Sequence, residues 1–294
     1  MTEQNISRRS LLKSVAGSMA AGTLLARSSA AAPEESTKSG RIKQSVSRWC
    51  FNSIPYEEFV KECKQIGLVG IDLVARNDWD LVKKYDMVAT MVPGAGSIAE
   101  GTIRKENHAR MLENFKKNIK DAAEYGWPNV ITFSGERKGM SEEEGLDNSV
   151  IVLKEAARIA EDAGVTICME LLNSKVDHPD YMCDHSAWGI ELCKRVDSPR
   201  FKLLYDIYHM QIMEGDVVKT ILDNHSFFAH YHTAGIYSLD VNKYRRDIDQ
   251  QQELDYVPVM KAIAQTGYEG YVAHEFVPKN GMDSLRHAYE LCNI

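Results

Sequence analysis

The sequence predicts a single (β/α)8 barrel over residues 44–294. Short apolar segments alternate with amphipathic segments along this region, which is typical of a parallel sheet with crossover helices. The alternation gives eight strand–helix units in about 250 residues, the usual length of such a barrel. A doubly wound open sheet is the alternative. The glycine-rich turn that typically follows its first strand is absent, since residues 52–55 are Asn-Ser-Ile-Pro.

The predicted strands are short apolar runs, and helix start and stop signals separate them. The strands cover residues 44–51, 69–74, 87–92, 129–133, 165–169, 201–205, 228–231 and 271–274. The helices cover 53–66, 77–85, 105–125, 146–163, 188–196, 215–222, 255–265 and 284–291. Pro55 lies in the first turn of the first helix, and Gly67 and Gly164 end the first and fourth helices. A long polar loop is expected over 234–252.

The first 32 residues are predicted to be a targeting segment. The run Ser7-Arg8-Arg9-Ser10-Leu11-Leu12-Lys13 resembles a twin-arginine export signal. An apolar stretch rich in Ala and Gly follows at 14–26, and small residues at 28–32 offer a cleavage site after Ala30. This stretch is too short for stable membrane insertion. We therefore expect export to the periplasm, with residues 33–43 as a flexible lead-in.

Composition and charge argue against some partners. Hydrophobic residues make up 44% of the chain, which is enough for a large core. The net charge is −7, and because the first 32 residues carry +3, the remainder carries −10. Nucleic-acid binding needs clustered Lys and Arg, so no nucleic-acid partner is expected. The six cysteines are spread out without a C-x-x-C motif, so a structural zinc site is not expected.

Four predicted strands end in residue types that bind metals. The fifth strand is followed by Glu170, the sixth by Asp206, the seventh by His232 and the eighth by Glu275, at spacings of 36, 26 and 43 residues. Each spacing fits one strand–helix unit, so the four side chains should meet at the carboxyl-terminal rim of the barrel. Three carboxylates and one imidazole suit one Mg²⁺ or Mn²⁺ ion with open positions for substrate.

Three further histidines lie near these strand ends. His274 precedes Glu275 on its strand and should point to the opposite face, which indicates a packing role. His230 shares the face of His232 one layer deeper, so it is interpreted as a core or supporting group. His209 follows the sixth strand closely enough to approach a substrate or to orient a metal ligand. Anchoring of the next helix is the alternative role for His209.

Two glutamates beside one metal suggest proton transfer. A metal bound to two adjacent oxygens of a hydroxy-ketone acidifies the hydrogen next to the carbonyl, and one glutamate removes that hydrogen as a proton to give an enediolate. Return of a proton to the neighbouring carbon is isomerisation. Return to the opposite face of the same carbon is epimerisation.

Three segments carry a family resemblance: Glu170 to Asn173, Tyr205 to Gly215 and Gly270 to Pro278. They resemble the hydroxypyruvate isomerase family, which belongs to the xylose-isomerase-like (β/α)8 barrels. The resemblance implies that Glu170 and Glu275 transfer the proton. It also implies that these two residues bind the metal together with Asp206 and His232, and that His209, Asn173 and Arg245 contact the substrate.

Two features depart from those isomerases. The isomerases have Gln at the position of His232, and histidine there is found in ketose 3-epimerases of the same superfamily. Their short glycine-rich loop before the last helix is replaced here by a longer stretch, 237–256. Arg245 lies near the Arg expected in that loop and would suit a substrate carboxylate. The alternative is that Arg245 is an exposed loop arginine. The short basic pair that it forms with Arg246 has the same alternative, since most such pairs are simply solvated.

We therefore expect a metal-dependent isomerase of a small hydroxy-keto acid or sugar, with conversion of hydroxypyruvate to tartronate semialdehyde as the leading case. A ketose 3-epimerase is the alternative, and an exported sugar-binding protein is a third. Phosphodiester hydrolysis, as in endonuclease relatives of the barrel, is disfavoured by the acidic body and by the single four-ligand set. The resemblance is also compatible with a homo-oligomer.

Overall fold

The computed structural model describes residues 41–236, 246–248 and 252–294, so the predicted targeting segment lies outside the described residues. The strands are β1 (Lys43–Ser47), β2 (Gly70–Asp72), β3 (Val88–Ala89), β4 (Val92–Ala95), β5 (Asn129–Thr132), β6 (Thr166–Glu170), β7 (Phe201–Asp206), β8 (Phe228–Thr233), β9 (Gly235–Ile236), β10 (Arg246–Asp247) and β11 (Tyr271–His274). Nine of them form one parallel sheet in the order β3-β2-β1-β11-β8-β7-β6-β5-β4, and β9 and β10 form a separate antiparallel pair.

Strands β3 and β4 are two segments of one barrel strand. β3 pairs with β2, β4 pairs with β5, and two residues, Thr90 and Met91, separate the pieces in the chain. Gly94 on β4 approaches β5 so closely that a Cβ atom would lie 2.2 Å from the Ile131 carbonyl oxygen. Because β3 and β4 are the two edge strands of the sheet and only two residues join them, they count together as one of eight barrel strands. The predicted (β/α)8 barrel is confirmed.

The helices are α1 (Tyr56–Ile66), α2 (Trp79–Lys84), α3 (His108–Tyr125), α4 (Glu142–Ala163), α5 (Ser186–Val196), α6 (Ile207–Met213), α7 (Val217–Asn224), α8 (Tyr256–Gln265) and α9 (Met282–Cys292). Gly67 and Gly164 end α1 and α4 in the left-handed backbone conformation, as the sequence predicts. Helix α4 begins earlier than predicted because the Ser141 hydroxyl accepts the Glu144 N–H and caps it. Within the described ranges, no helix has the length and apolar character needed to cross a membrane.

Helix α6 was not predicted, and it follows β7 without a loop. The Asp206 carboxylate accepts the backbone N–H of His209 at 3.2 Å and so caps the helix that begins at Ile207. The predicted helix 215–222 corresponds to α7. This cap holds Asp206 at the rim and turns His209 back toward it.

The barrel interior is apolar at its centre and polar at its rim. A buried apolar cluster inside the barrel consists of Met91, Ile131, Cys168 and Leu204. Because side chains alternate along a strand, Glu170 and Asp206 lie on the same face as Cys168 and Leu204, one layer nearer the rim. A second, larger apolar cluster packs the helices against the outside of the barrel.

Candidate metal centre and active site

Four side chains meet at the carboxyl-terminal rim. Glu170 ends β6, Asp206 ends β7, His232 lies near the end of β8, and Glu275 directly follows β11. Asp206 and Ala273 are both register partners of His232, so the ends of three neighbouring strands lie level. One ligand atom from each of the four residues lies within 4.8 Å of the others, and all four residues are buried. The structure thus brings together the set that the sequence predicted.

The donor atoms converge around His232. Its Nδ1 atom lies 3.3 Å from Glu170 Oε1, 3.4 Å from Asp206 Oδ2 and 2.7 Å from Glu275 Oε2. Ligands bound at about 2.1 Å in octahedral geometry lie about 3 Å apart along an edge. Burial alone would lower the pKa of His232, but Glu275 and the neighbouring carboxylates raise it well above its ordinary value. Three carboxylates and one imidazole form an oxygen-rich donor set that fits one divalent metal ion.

Asp72, which the sequence pattern does not identify as a site residue, contacts the Nε2 atom of His232 on the side of the ring opposite Nδ1. His232 Nε2 lies 2.9 Å from Asp72 Oδ2, and His230 Nε2 lies 3.0 Å from Asp72 Oδ1. The Thr90 hydroxyl also donates to Asp72 Oδ1, at 2.6 Å. Burial would raise the pKa of Asp72, but the two histidines hold it below its ordinary value. An ionised Asp72 that accepts from Nε2 leaves the Nδ1 lone pair of His232 free for a metal.

A signal for Asp72 was present in the sequence. It is a carboxylate inside the apolar predicted strand 69–74, and a buried carboxylate needs partners. His230 lies one layer below the rim and reaches the centre through Asp72, which agrees with the supporting role predicted for it. His274 bonds with Thr233 at 2.9 Å and with Gln44 at 2.8 Å, away from the four ligands.

His209 lines the cavity, and Asn173 supports it from behind. The Asn173 backbone N–H donates to His209 Nδ1 at 3.1 Å, and the Asn173 side-chain nitrogen lies 2.7 Å from the same atom. Burial lowers the pKa of His209 to about 3, so the ring is neutral. Asn173 is itself fully buried and also donates to Asp177 at 2.6 Å. Its geometry favours positioning of His209 over the direct substrate contact that the sequence predicted.

An arginine does reach the centre, and it is Arg246. Its guanidinium contacts the Asp206 carboxylate, lies 2.7 Å from Glu275 Oε2 and lies 3.2 Å from His209 Nε2. Arg246 lies on β10, opposite Ile236 of β9, and this pairing directs it over the barrel mouth. The predicted substrate residue Arg245 lies outside the described residues.

The two glutamates differ in their surroundings. Burial raises the pKa of Glu170 to about 7, against the opposing hydrogen bond with His232. Burial would also raise the pKa of Glu275, but Arg246 and His232 hold it well below its ordinary value. The Trp49 indole N–H donates to Glu275 Oε1 at 2.6 Å and fixes that carboxylate. The two carboxyl groups therefore occupy unlike environments within one centre.

A cavity of about 640 Å³ opens above this centre. Its polar lining residues include Glu170, Asp177, His178, His209, Arg246 and Glu275. Its apolar lining residues include Trp49, Leu73, Ile98, Phe133, Leu172 and Val277. A concave site with a few convergent polar groups is typical of small-molecule binding.

Fold and site together define an enzyme with a carboxylate–histidine centre at the mouth of a (β/α)8 barrel. The model of the xylose isomerase-like TIM barrel family matches residues 51–291. The chain therefore belongs to the xylose isomerase-like TIM barrel family, as the sequence resemblance predicted.

Curated relatives of the chain are named isomerases and epimerases. It is 30% identical to a D-psicose 3-epimerase of Ruminiclostridium cellulolyticum over 53% of this chain and 48% of the relative. It is 30% identical to a 2-oxo-tetronate isomerase of Cupriavidus necator (43% and 45%) and 26% identical to a putative hydroxypyruvate isomerase of Danio rerio (47% and 48%). The match spans about half the length of these relatives.

Solved structures show the same fold at low identity. An AP endonuclease of family 2 from Brucella melitensis superimposes with a TM-score of 0.72 at 20% identity, covering 83% of this chain and 96% of that one. The IOLI protein, described with a bound zinc atom, superimposes with a TM-score of 0.66 at 15% identity, covering 85% and 96%. These likenesses establish the fold.

Proposed function

We propose that this chain is a metal-dependent isomerase or epimerase that moves a proton beside the carbonyl of a sugar or a small hydroxy-keto acid. The observation that carries the proposal is the placement of Glu170 and Glu275 on either side of His232, at 3.3 and 2.7 Å from its Nδ1 atom. They come from β6 and β11, which β7 and β8 separate in the sheet. Two carboxylates so placed can reach one substrate carbon from two directions.

Glu170, Asp206, His232 and Glu275 would hold one Mg²⁺ or Mn²⁺ ion. Such an ion, when bound, supplies Lewis-acid stabilisation of negative charge on substrate oxygens. One glutamate accepts the proton from the carbon beside the carbonyl, and the C–H electron pair forms the enediolate. The other glutamate, in its protonated form, donates a proton to the opposite face of that carbon, which inverts it. Alternatively it donates to the adjacent carbon while the hydroxyl proton passes between the two substrate oxygens, which moves the carbonyl.

The polar lining residues of the cavity would orient the substrate for this transfer. His209 presents its Nε2 edge, and Arg246 presents a guanidinium, on the same side as Glu275. Neither group needs to move a proton. Both suit substrate oxygens, because a neutral imidazole and a guanidinium donate hydrogen bonds to carbonyl, hydroxyl or carboxylate groups.

Different features of the site favour each of two substrate classes, hydroxy-keto acids and ketoses. The Arg246 guanidinium suits a carboxylate, as in conversion of hydroxypyruvate to tartronate semialdehyde. The ketose class, reacting as in a 3-epimerase, is favoured by His232 and by the 640 Å³ cavity. Such a cavity lies well inside the range of about 300–1,000 Å³ that is usual for drug-sized ligands, and a three-carbon acid would leave most of it empty.

Deuterium exchange tests the proposal directly. Protein loaded with Mn²⁺ is incubated in deuterated water with hydroxypyruvate and a panel of ketoses, and uptake beside the carbonyl is followed by NMR. Glu170→Gln and Glu275→Gln should each slow exchange by about 100-fold or more, because each removes a proton-transfer group. The exposed Glu58→Gln serves as the matched control. Exchange that persists in both site variants would refute the assignment.

We also propose export of the folded enzyme by the twin-arginine route to the periplasm. The support is the order of charge, apolar stretch and small residues in the first 32 positions of the sequence. Replacing Arg8 and Arg9 together by Lys should retain the protein in the cytoplasm, as fractionation would show. Undiminished export of the double variant would contradict the proposal.

A further inference from the structure

A second hollow adjoins the catalytic cavity on the same rim. It has a volume of about 350 Å³ and is lined by Arg48, Trp49, Asn52, Tyr56, Leu73, Ala75 and Asp78. These residues follow β1 and β2, whereas the four metal-binding candidates come from β6, β7, β8 and the end of β11. Trp49 and Leu73 line both spaces, so they form the divider between the hollow and the catalytic cavity.

The divider is held in place and is accessible. The Trp49 side chain is anchored at its nitrogen by Glu275, yet the residue remains 42% exposed. Leu73 has a φ of 53°, a left-handed conformation that non-glycine residues rarely adopt and that clusters at functional sites. An anchored, exposed indole between two cavities offers an apolar face to a ligand that reaches across it.

The hollow offers polar groups suited to hydroxyls. Asn52 is exposed and Asp78 is half-buried. Within the described part of the chain, no hydrogen bond or ion pair uses either side chain. An amide both donates and accepts and a carboxylate accepts, so the pair matches ligand hydroxyls, which also do both. The Arg48 guanidinium is already committed to the backbone oxygens of the 48–54 turn and to the Tyr56 ring.

We propose that the substrate is a keto sugar joined to a second sugar ring, with the reacting ring in the catalytic cavity and the second ring in the hollow. The inference rests on the proposed function and names its substrate class. An indole face beside an amide and a carboxylate matches a sugar ring, which presents C–H groups on its faces and hydroxyls on its edge. A hydroxy-keto acid or a single ketose would leave the hollow unused.

The test compares ketose disaccharides with free ketoses on the full chain loaded with Mn²⁺. The probes are lactulose, maltulose and palatinose against D-fructose and D-psicose, and the readout is kcat/KM for deuterium uptake beside the carbonyl. At least one disaccharide should exchange about tenfold more efficiently than either free ketose, as a few added hydrogen bonds would give. Equal or faster exchange of the free ketoses would overturn the inference while leaving the proposed function intact.

Variants in the hollow sharpen the comparison. Asn52→Ala and Asp78→Ala should each lower the disaccharide-to-ketose ratio of kcat/KM by about fivefold to tenfold. Asn77→Ala, an exposed neighbour that does not line the hollow, is the matched control. A ratio that neither hollow variant changes would refute the second-ring site.

A binding measurement separates the two proposals. If no compound exchanges, the proposed function fails, and calorimetric titration with the same disaccharides still tests the hollow. Binding that weakens about tenfold in Asn52→Ala but not in Asn77→Ala supports the second-ring site without reference to turnover. Absence of disaccharide binding to the unaltered protein overturns it.

Discussion

Replacement of Asp72 by Asn tests how the barrel interior controls the metal centre. The carboxylate of Asp72 lies 2.9 Å from His232 Nε2 and 3.0 Å from His230 Nε2, and it accepts the Thr90 hydroxyl at 2.6 Å. Asn has nearly the same shape but only one acceptor oxygen. If that oxygen keeps Thr90 and His230, the amide NH₂ faces His232 Nε2, and two donors oppose each other. The His232 proton then moves to Nδ1, the atom that faces the other ligands.

The expected loss follows from this change of tautomer. A protonated Nδ1 cannot bind a cation, so metal binding must first reverse the unfavourable arrangement. Loss of such a supporting carboxylate weakens metal affinity by about 10- to 100-fold, or about 1.4–2.7 kcal/mol. Thr90→Val removes the hydroxyl that donates to Asp72 but keeps the carboxylate on both histidines, so its effect on Mn²⁺ affinity should stay within about threefold.

Calorimetric titration of Mn²⁺ into the protein, Asp72→Asn and Thr90→Val measures the effect without any assay of turnover. Nitrogen chemical shifts of the His232 ring report the tautomer independently. Unfolding curves recorded without metal show whether the variants remain folded. A folded Asp72→Asn protein that binds Mn²⁺ within threefold of the unaltered chain would refute the reasoning.

Three other variants test separate parts of the structure. Arg246→Met should tighten Mn²⁺ binding by about tenfold, since it removes a competing cation, while raising KM; weaker binding in titration would contradict this. Tyr181→Phe removes a hydroxyl that donates to the Glu170 carbonyl at 3.0 Å, and urea unfolding should show a loss of about 1–3 kcal/mol. An unchanged urea midpoint would count against that. Buried Phe115→Ala should lose about 3–5 kcal/mol, whereas exposed Lys116→Ala should stay within about 0.5 kcal/mol; similar losses in both would refute the packing argument.

The sequence was most informative where local pattern and strand geometry coincide. Parallel strands in a barrel bring their carboxyl ends to one rim, so four metal-binding residue types at strand ends predicted the cluster around His232. Side-chain alternation likewise separated His230 from His274 correctly. The sequence pattern does not predict helix α6, because its start depends on Asp206 acting as a helix cap in addition to lying in the ligand cluster.

Three features of the site depend on tertiary contacts that the sequence pattern does not specify. Arg246 reaches the centre through the antiparallel pairing of β9 with β10, and no periodicity in a polar loop indicates such a pairing. Asp72 meets His232 across 160 positions of sequence. Asn173 is predicted to contact the substrate, and its contacts with His209 and Asp177 are visible only in the packed structure.

Arg246 also affects the stability of the metal-free protein. Three buried carboxylates gathered around one imidazole would repel one another strongly, and such crowding usually destabilises a fold. Arg246 contacts two of them, and its positive charge remains when the metal is removed because it belongs to the chain itself. It therefore acts as an intramolecular counterion. Removal of the metal by a chelator should yield a folded, inactive protein that can bind metal again. The barrel can then fold first and acquire its metal later, in whichever compartment supplies it.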